Sequence, residues 1–174
     1  MQKTILTFFI AALLGSCNST PQKPITMETP KKDSTSMDTE KDTTPKVTGV
    51  GGIFFFTENP KETKEWYSKN LGIETDDYGS SFKSRNINKP DEINILQWSP
   101  FKKGSNYFAP SKKEFMINYT VQNIEGLVKN LENSGITVLD SIATYDYGKF
   151  VHILDPEGNK IELWEPNPNY KTEK

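Results

Sequence analysis

The sequence predicts an α+β fold: two tandem βαβββ modules forming a curved mixed sheet around a pocket. Three observations predict it. Two segments rich in β-branched and aromatic residues, 48–56 and 114–121, each lead into a helix that has an asparagine at its start. The two helices close on similar text, Lys69-Asn70-Leu71-Gly72-Ile73 and Lys129-Asn130-Leu131 followed by Gly135-Ile136. Each is then followed by three short strand candidates. A half this small has one apolar sheet face and little to cover it. Setting two halves side by side buries both helices against one face and leaves the opposite face as a pocket.

The chain does not start with this domain. Lys3 precedes the apolar run at residues 5–14. A helix of that run covers roughly 15 Å, about half a bilayer core, so it reads as a secretory h-region and not as a membrane span. Leu14-Gly15-Ser16-Cys17 follows directly. It resembles a bacterial lipobox, which implies cleavage after residue 16 and lipidation of Cys17. Each buried acyl methylene adds ~0.8 kcal/mol, so several chains on one cysteine hold a protein at a membrane. Asn18 stands where an aspartate resembles an inner-membrane retention signal. The expected location is therefore the bacterial cell envelope, at the outer membrane.

Residues 17–46 form a lipid-anchored tether rich in Thr, Ser, Pro, Lys, Asp and Glu, with no aromatic residue. Such a segment buries too little apolar surface to offset its ordering entropy. It explains why hydrophobic residues make up only 34% of the chain, low for a wholly globular protein. The domain is expected over residues 47–168, with a tail at 169–174.

Within the domain, residues 48–56 read as a strand. Asn59 caps a helix with Pro60 in its first turn and Glu62 three residues after the cap, and Gly72 ends it. Strands are expected at 73–78, 81–86 and 93–98, then a polar linker over 99–113. In the second half the strand at 114–121 leads to a helix from Ile124 to about Ser134, capped by Asn123 and ended by Gly135. Strands at 136–143, 149–154 and 159–165 follow, the last two joined by the turn Asp155-Pro156-Glu157-Gly158.

The segment Gly51-Gly52-Ile53-Phe54-Phe55-Phe56, the helix with Trp66-Tyr67 and Leu71-Gly72, the later Gly148-Lys149-Phe150, and the close Asp155-Pro156-Glu157-Gly158-Asn159-Lys160-Ile161-Glu162-Leu163-Trp164-Glu165 go together. Over residues 47–166 they resemble the vicinal oxygen chelate superfamily, which includes glyoxalase I, bleomycin and fosfomycin resistance proteins, and extradiol dioxygenases. The resemblance implies a divalent ion held by four inward side chains from the first and last strands of each half. Here those positions fall on Gly52, on Asn94 or Leu96, on Met116 and on Glu162. One carboxylate does not hold a catalytic metal. No metal ligand set and no cofactor is expected, although a divalent metal stays open. The resemblance also leaves open a homodimer that completes the pocket.

Alternation along strands then places side chains. Glu162 marks the pocket face of the last strand, with Lys160 and Trp164. Phe54 and Phe56 join it from the first strand, Met116 and Asn118 from the first strand of the second half, and Phe150 and His152 from the strand before the last. With Ile93 and Ile95 assigned to the core, Asn94, Leu96 and Trp98 turn to the pocket. Residues 145–147 stand at its rim. The expected ligand site is thus an aromatic cleft of Phe54, Phe56, Trp98, Phe150 and Trp164 beside Met116, with Asn118, His152 and Glu162 as polar groups. It suits a small, partly apolar molecule. His152 and Glu162 are the catalytic candidates, as a general acid–base pair, and also read as structural residues.

The net charge of −2 gives no basic surface for nucleic acid. One cysteine and one histidine exclude an internal disulfide and a metal site of several Cys or His. No glycine-rich phosphate loop or serine hydrolase motif is present. Three functions remain: a membrane-anchored binding protein for a small molecule, an enzyme of lyase, isomerase or dioxygenase type, and a non-catalytic interaction lipoprotein.

Overall fold

A computed structural model of the chain describes residues 42–170 apart from residue 88. The leader, Cys17 and most of the expected tether lie outside the described residues. The elements run β1 (Lys46–Thr57), α1 (Pro60–Leu71), β2 (Ser80–Arg85), β3 (Ile93–Lys102), a short 3-10 turn (Asn106–Phe108), β4 (Phe115–Gln122), α2 (Ile124–Asn133), β5 (Ala143–Tyr145), β6 (Gly148–Leu154) and β7 (Lys160–Pro166). All seven strands make one curved mixed sheet in the order β2-β3-β1-β4-β7-β6-β5. In each half the first strand lies parallel to the last, β1 beside β3 and β4 beside β7. The halves join where β1 and β4 pair antiparallel. This is the α+β architecture that the repeat predicts.

The helices begin and end where their capping residues stand. Asn59 accepts from the Glu62 N–H at 3.4 Å, and Gly72 takes the left-handed conformation (φ 69°) with its N–H on the Ser68 carbonyl. Asn123 accepts from the Gly126 N–H at 3.1 Å. The α2 start is also capped from the sheet: the Glu165 carboxylate of β7 accepts the N–H groups of Asn123 (2.9 Å) and Ile124 (3.2 Å). The helix covers Val121, Val151, Ile153 and Leu163 with Ile124, Leu127 and Leu131. In the first half Tyr67 of α1 packs on Trp98, which also meets Phe55. Among the described residues no helix is long and apolar enough to cross a membrane.

Three segments depart from expectation. Residues 73–78 form no strand. The Asp76 carboxylate accepts from the N–H groups of Tyr78 and Gly79, and Lys64 donates to the Asp76 and Asp77 carbonyls, so local turn bonds replace a ladder. Residues 136–143 keep a bridge between Val138 and Ile153 and the short β5. Between them the Asp140 side chain, in place of a backbone carbonyl, accepts the His152 N–H at 2.8 Å. The expected linker at 99–113 instead extends β3 to Lys102 and supplies the 3-10 turn, whose Phe108 is 1% exposed.

Candidate functional site

Cross-strand register places Gly52, Asn118, Glu162 and His152 in one row across β1, β4, β7 and β6, on the face away from the helices. Glu162 is 2% exposed. Burial raises the cost of its charge, and donors compensate. Asn118 Nδ2 donates at 2.6 Å, the Tyr107 hydroxyl donates from the 3-10 turn, and His152 Nε2 lies at 2.9 Å. Together these donors outweigh burial and hold the Glu162 carboxyl below the usual range.

The His152 ring is pinned at both nitrogens, with Nδ1 2.6 Å from the Asp140 carboxylate. Burial pulls its pKa down, but the hydrogen bonds to Glu162 and Asp140 prevail and hold it above the ordinary 6.5. Lys160, 8% exposed, lies two residues before Glu162 on the same face and donates to the Tyr107 carbonyl at 2.7 Å. Burial pulls Lys160 down, opposed by the charges of Asp140 and Glu162. The site therefore sets two acidic side chains, Asp140 and Glu162, against two basic ones, His152 and Lys160. A buried charge is tolerable only with such partners.

The aromatic residues divide into two groups around this row. On one side Phe54 and Met116 are buried beneath Phe108, which stacks on Phe56 at 4.2 Å. Tyr107 stacks on Phe101 at 5.1 Å and sets its ring edge-on to His152. On the other side Phe150 and Trp164 lie parallel at 5.9 Å, with Tyr147 edge-on to Phe150. Tyr145 and Tyr147 stack beside them and remain exposed.

Glycine makes this floor possible. A bulge between Val50 and Gly52 leaves Gly51 opposite Asn118, where a Cβ atom would lie 2.2 Å from Asn118 Oδ1 and 3.0 Å from the Trp164 ring. That Oδ1 is buried and has no hydrogen-bond partner among the described residues.

Of the residues expected at the site, Asn118, His152, Glu162, Phe150 and Trp164 share this face. Phe54, Phe56 and Met116 share it too, but as the apolar bed of the turn and not as an open cleft. Trp98 does not: β3 pairs in parallel with β1 so that Gln97 stands beside Gly52 and Trp98 beside Ile53, on the helix side. Asn94 and Leu96 follow Trp98 to that side by alternation, which corrects the assignment of Ile93 and Ile95 to the core. Sequence reasoning missed Tyr107 and Asp140. The Tyr-Phe pair inside a polar segment was a usable signal for the first, whereas nothing local marks Asp140.

The metal positions implied by the resemblance do not fit an ion. Gly52 offers no donor. Asn118, not Met116, stands beside Glu162. Gln97, the β3 residue in the row, bonds Ser81 and Ser99. The Glu162 oxygens are taken by three hydrogen-bond donors. No group of three His, Cys, Asp or Glu side chains able to hold a metal occurs among the described residues. Two surface clefts, about 720 Å³ between residues 71–76 and 80–83 and about 240 Å³ beside β5 and residues 165–168, are lined by none of Tyr107, Asn118, Asp140, His152 and Glu162.

Comparison with known proteins agrees with the topology. The model of the Glyoxalase/Bleomycin resistance protein/Dioxygenase superfamily matches residues 49–163. A structure of Streptomyces coelicolor methylmalonyl-CoA epimerase with 2-nitronate-propionyl-CoA is similar at TM-score 0.53 and 13% identity, covering 70% of this chain and 99% of that one. The Mycobacterium tuberculosis methylmalonyl-CoA epimerase gives 0.47 at 16% identity, covering 70% and 90%. A superfamily member from Vibrio splendidus gives 0.44 at 11%, covering 67% and 97%. At 13% identity the likeness to the Streptomyces coelicolor structure is one of fold alone. No curated protein matches significantly.

Proposed function

Because the chain belongs to the Glyoxalase/Bleomycin resistance protein/Dioxygenase superfamily, we propose that its helix-free sheet face binds a small, partly apolar molecule, anchored on Glu162. The observation that carries this reading is the buried Glu162 carboxyl group, met by Asn118, Tyr107 and His152. One of its three donors, Tyr107, comes from a surface turn and not from the sheet, and the Phe150–Trp164 pair forms an aromatic shelf in the adjacent row. A desolvated carboxylate beside aromatic surface gives orientation and affinity to a ligand with a donor group. The epimerase of Streptomyces coelicolor, of like fold, is seen with a small acyl-CoA analogue. The binding needs no metal. We further propose that the domain is displayed at a bacterial envelope membrane, at the outer membrane, through lipidated Cys17.

A thermal-shift screen of small aromatic and amphipathic molecules against the purified protein tests the binding. A stabilising ligand whose effect disappears in Glu162→Gln and weakens in Trp164→Ala is expected. Ligands indifferent to both substitutions overturn the assignment.

One observation favours a catalytic variant: His152 stands in line between Asp140 and Glu162. With the Glu162 oxygens engaged by Asn118, Tyr107 and His152, proton transfer by this pair to a ligand requires Tyr107 to leave. Turnover of any ligand found should then be lost in His152→Gln while binding persists.

A further inference from the structure

The Tyr107 side chain is an aromatic ring with a hydroxyl, and the site treats it as a bound molecule. The hydroxyl donates to the Glu162 carboxylate. One ring face stacks on Phe101 with planes 7° apart, the ring meets His152 edge-on, and the Lys160 ammonium lies 5.3 Å from the ring centroid. Such contacts select a planar, electron-rich ring. An ionised carboxylate with burial on all sides selects a proton donor.

We propose that the Glu162 site accepts a phenol and that Tyr107 occupies it from within, as a displaceable internal competitor. This rests on the binding reading above and names its ligand class.

The turn is built so that Tyr107 can leave alone. Its two aromatic residues have different roles. Phe108 is 1% exposed, stacks on Phe56 and packs at a tilt against Phe101, so it anchors the turn. Tyr107 as a residue is 40% exposed, while its hydroxyl reaches inward to Glu162. A second anchor, Ser111 Oγ donating to the Gly158 carbonyl at 2.7 Å, also leaves Tyr107 untouched. Lys160 donates its hydrogen bond to the Tyr107 backbone carbonyl, so a rotation of the ring gives up the cation–ring contact and keeps that bond. The buried hydroxyl stays protonated: burial, then the Glu162 charge, hold it well above the ordinary 10.0. A free phenol entering in its place makes the same bond to Glu162 and meets the same faces of Phe101 and His152.

A tethered group competes at an effective concentration of about millimolar, so a free phenol meets a site that is mostly filled. Its apparent affinity is reduced by the fraction of chains in which Tyr107 is away.

The test titrates the full chain with p-cresol, the tyrosine side chain as a free molecule, and follows the melting temperature. In Tyr107→Ala, p-cresol is expected to act at a concentration at least about tenfold below that needed for the unmodified chain. 4-Methylanisole, the same ring with no proton to donate, should do nothing, and adding Glu162→Gln to Tyr107→Ala should abolish the response. Equal action of the two rings, or a response indifferent to Glu162→Gln, overturns the proposal. Should Tyr107→Ala not fold, Tyr107→Phe takes its place. It keeps the ring but donates nothing, so p-cresol should again act at lower concentration, and an unchanged concentration overturns the proposal. A Glu162-dependent ligand from the thermal-shift screen, with no p-cresol response in the folded variant, removes the phenol and leaves the binding reading standing. No ligand of either kind removes both.

Discussion

His152 Nε2 lies 2.9 Å from the Glu162 carboxylate, and the two residues are direct cross-strand partners on β6 and β7. The pair is 12% and 3% exposed at its side chains, so its charges are little screened. Everything else at the site is arranged around it: Asp140 behind the imidazole, and Asn118 and Tyr107 on the carboxylate.

The first consequence is a stability optimum in mildly acidic solution. His152 is held above its ordinary 6.5, so its contribution is complete below that value and is lost as pH rises through the folded value. Glu162 is held below its ordinary 4.5, so its contribution is complete above that value and is lost as pH falls through the folded value. Both are complete only between about 4.5 and 6.5. Melting temperature against pH should peak in this window, and His152→Gln should flatten the alkaline side. An unchanged alkaline slope in that variant refutes the assignment.

Asp140→Asn removes one of the two hydrogen-bond acceptors that hold the imidazole charged. The His152 pKa, followed by its ring proton resonances, should fall. Stability at pH 6 should fall by about 1–2 kcal/mol, since a hydrogen bond to a charged group is lost. A pKa that stays in place shows that Glu162 alone sets the charge.

Gly51→Ala places a methyl 2.2 Å from Asn118 Oδ1 and 3.0 Å from the Trp164 ring. Asn118 must move, and with it a donor to Glu162. Denaturant unfolding should show a loss of about 1–3 kcal/mol, the cost of overpacking. Any Glu162-dependent ligand should weaken in parallel. Wild-type stability with unaltered ligand binding counts against a packed Gly51 floor.

The two aromatic residues of the turn should differ in cost. Phe108→Ala empties a fully buried position and should cost about 3–5 kcal/mol. Tyr107→Ala removes a part-exposed ring and should cost less. Equal losses, measured in denaturant, contradict the division between anchor and competitor.

Cys17→Ser tests the membrane proposal. The unmodified protein should take up labelled palmitate and the variant should not, since acylation needs the Cys17 thiol. Equal labelling of both refutes the lipid anchor.

Much of this was legible in the chain itself, wherever a residue acts on its near neighbours. Asn59, Gly72 and Asn123 set helix ends because caps bond within four residues. Asp155 and Gly158 make the last hairpin for the same reason: the Asp155 carboxylate accepts the N–H groups of Glu157 and Asn159. Strict alternation put Asn118, His152, Glu162 and Trp164 on one face, since the polar site residues of those strands alternate with the apolar pairs Ile117 and Tyr119, Val151 and Ile153, and Ile161 and Leu163. The tertiary structure decided the rest. In Ile93-Asn94-Ile95-Leu96-Gln97-Trp98 both parities carry apolar residues, so alternation is silent, and pairing with β1 chose the face. Tyr107 and Glu162 stand 55 residues apart, and Asp140 reaches His152 across 12. Contacts of that kind arise when the sheet closes, because a side chain's partner then depends on which strands are neighbours and not on what lies beside it in the chain.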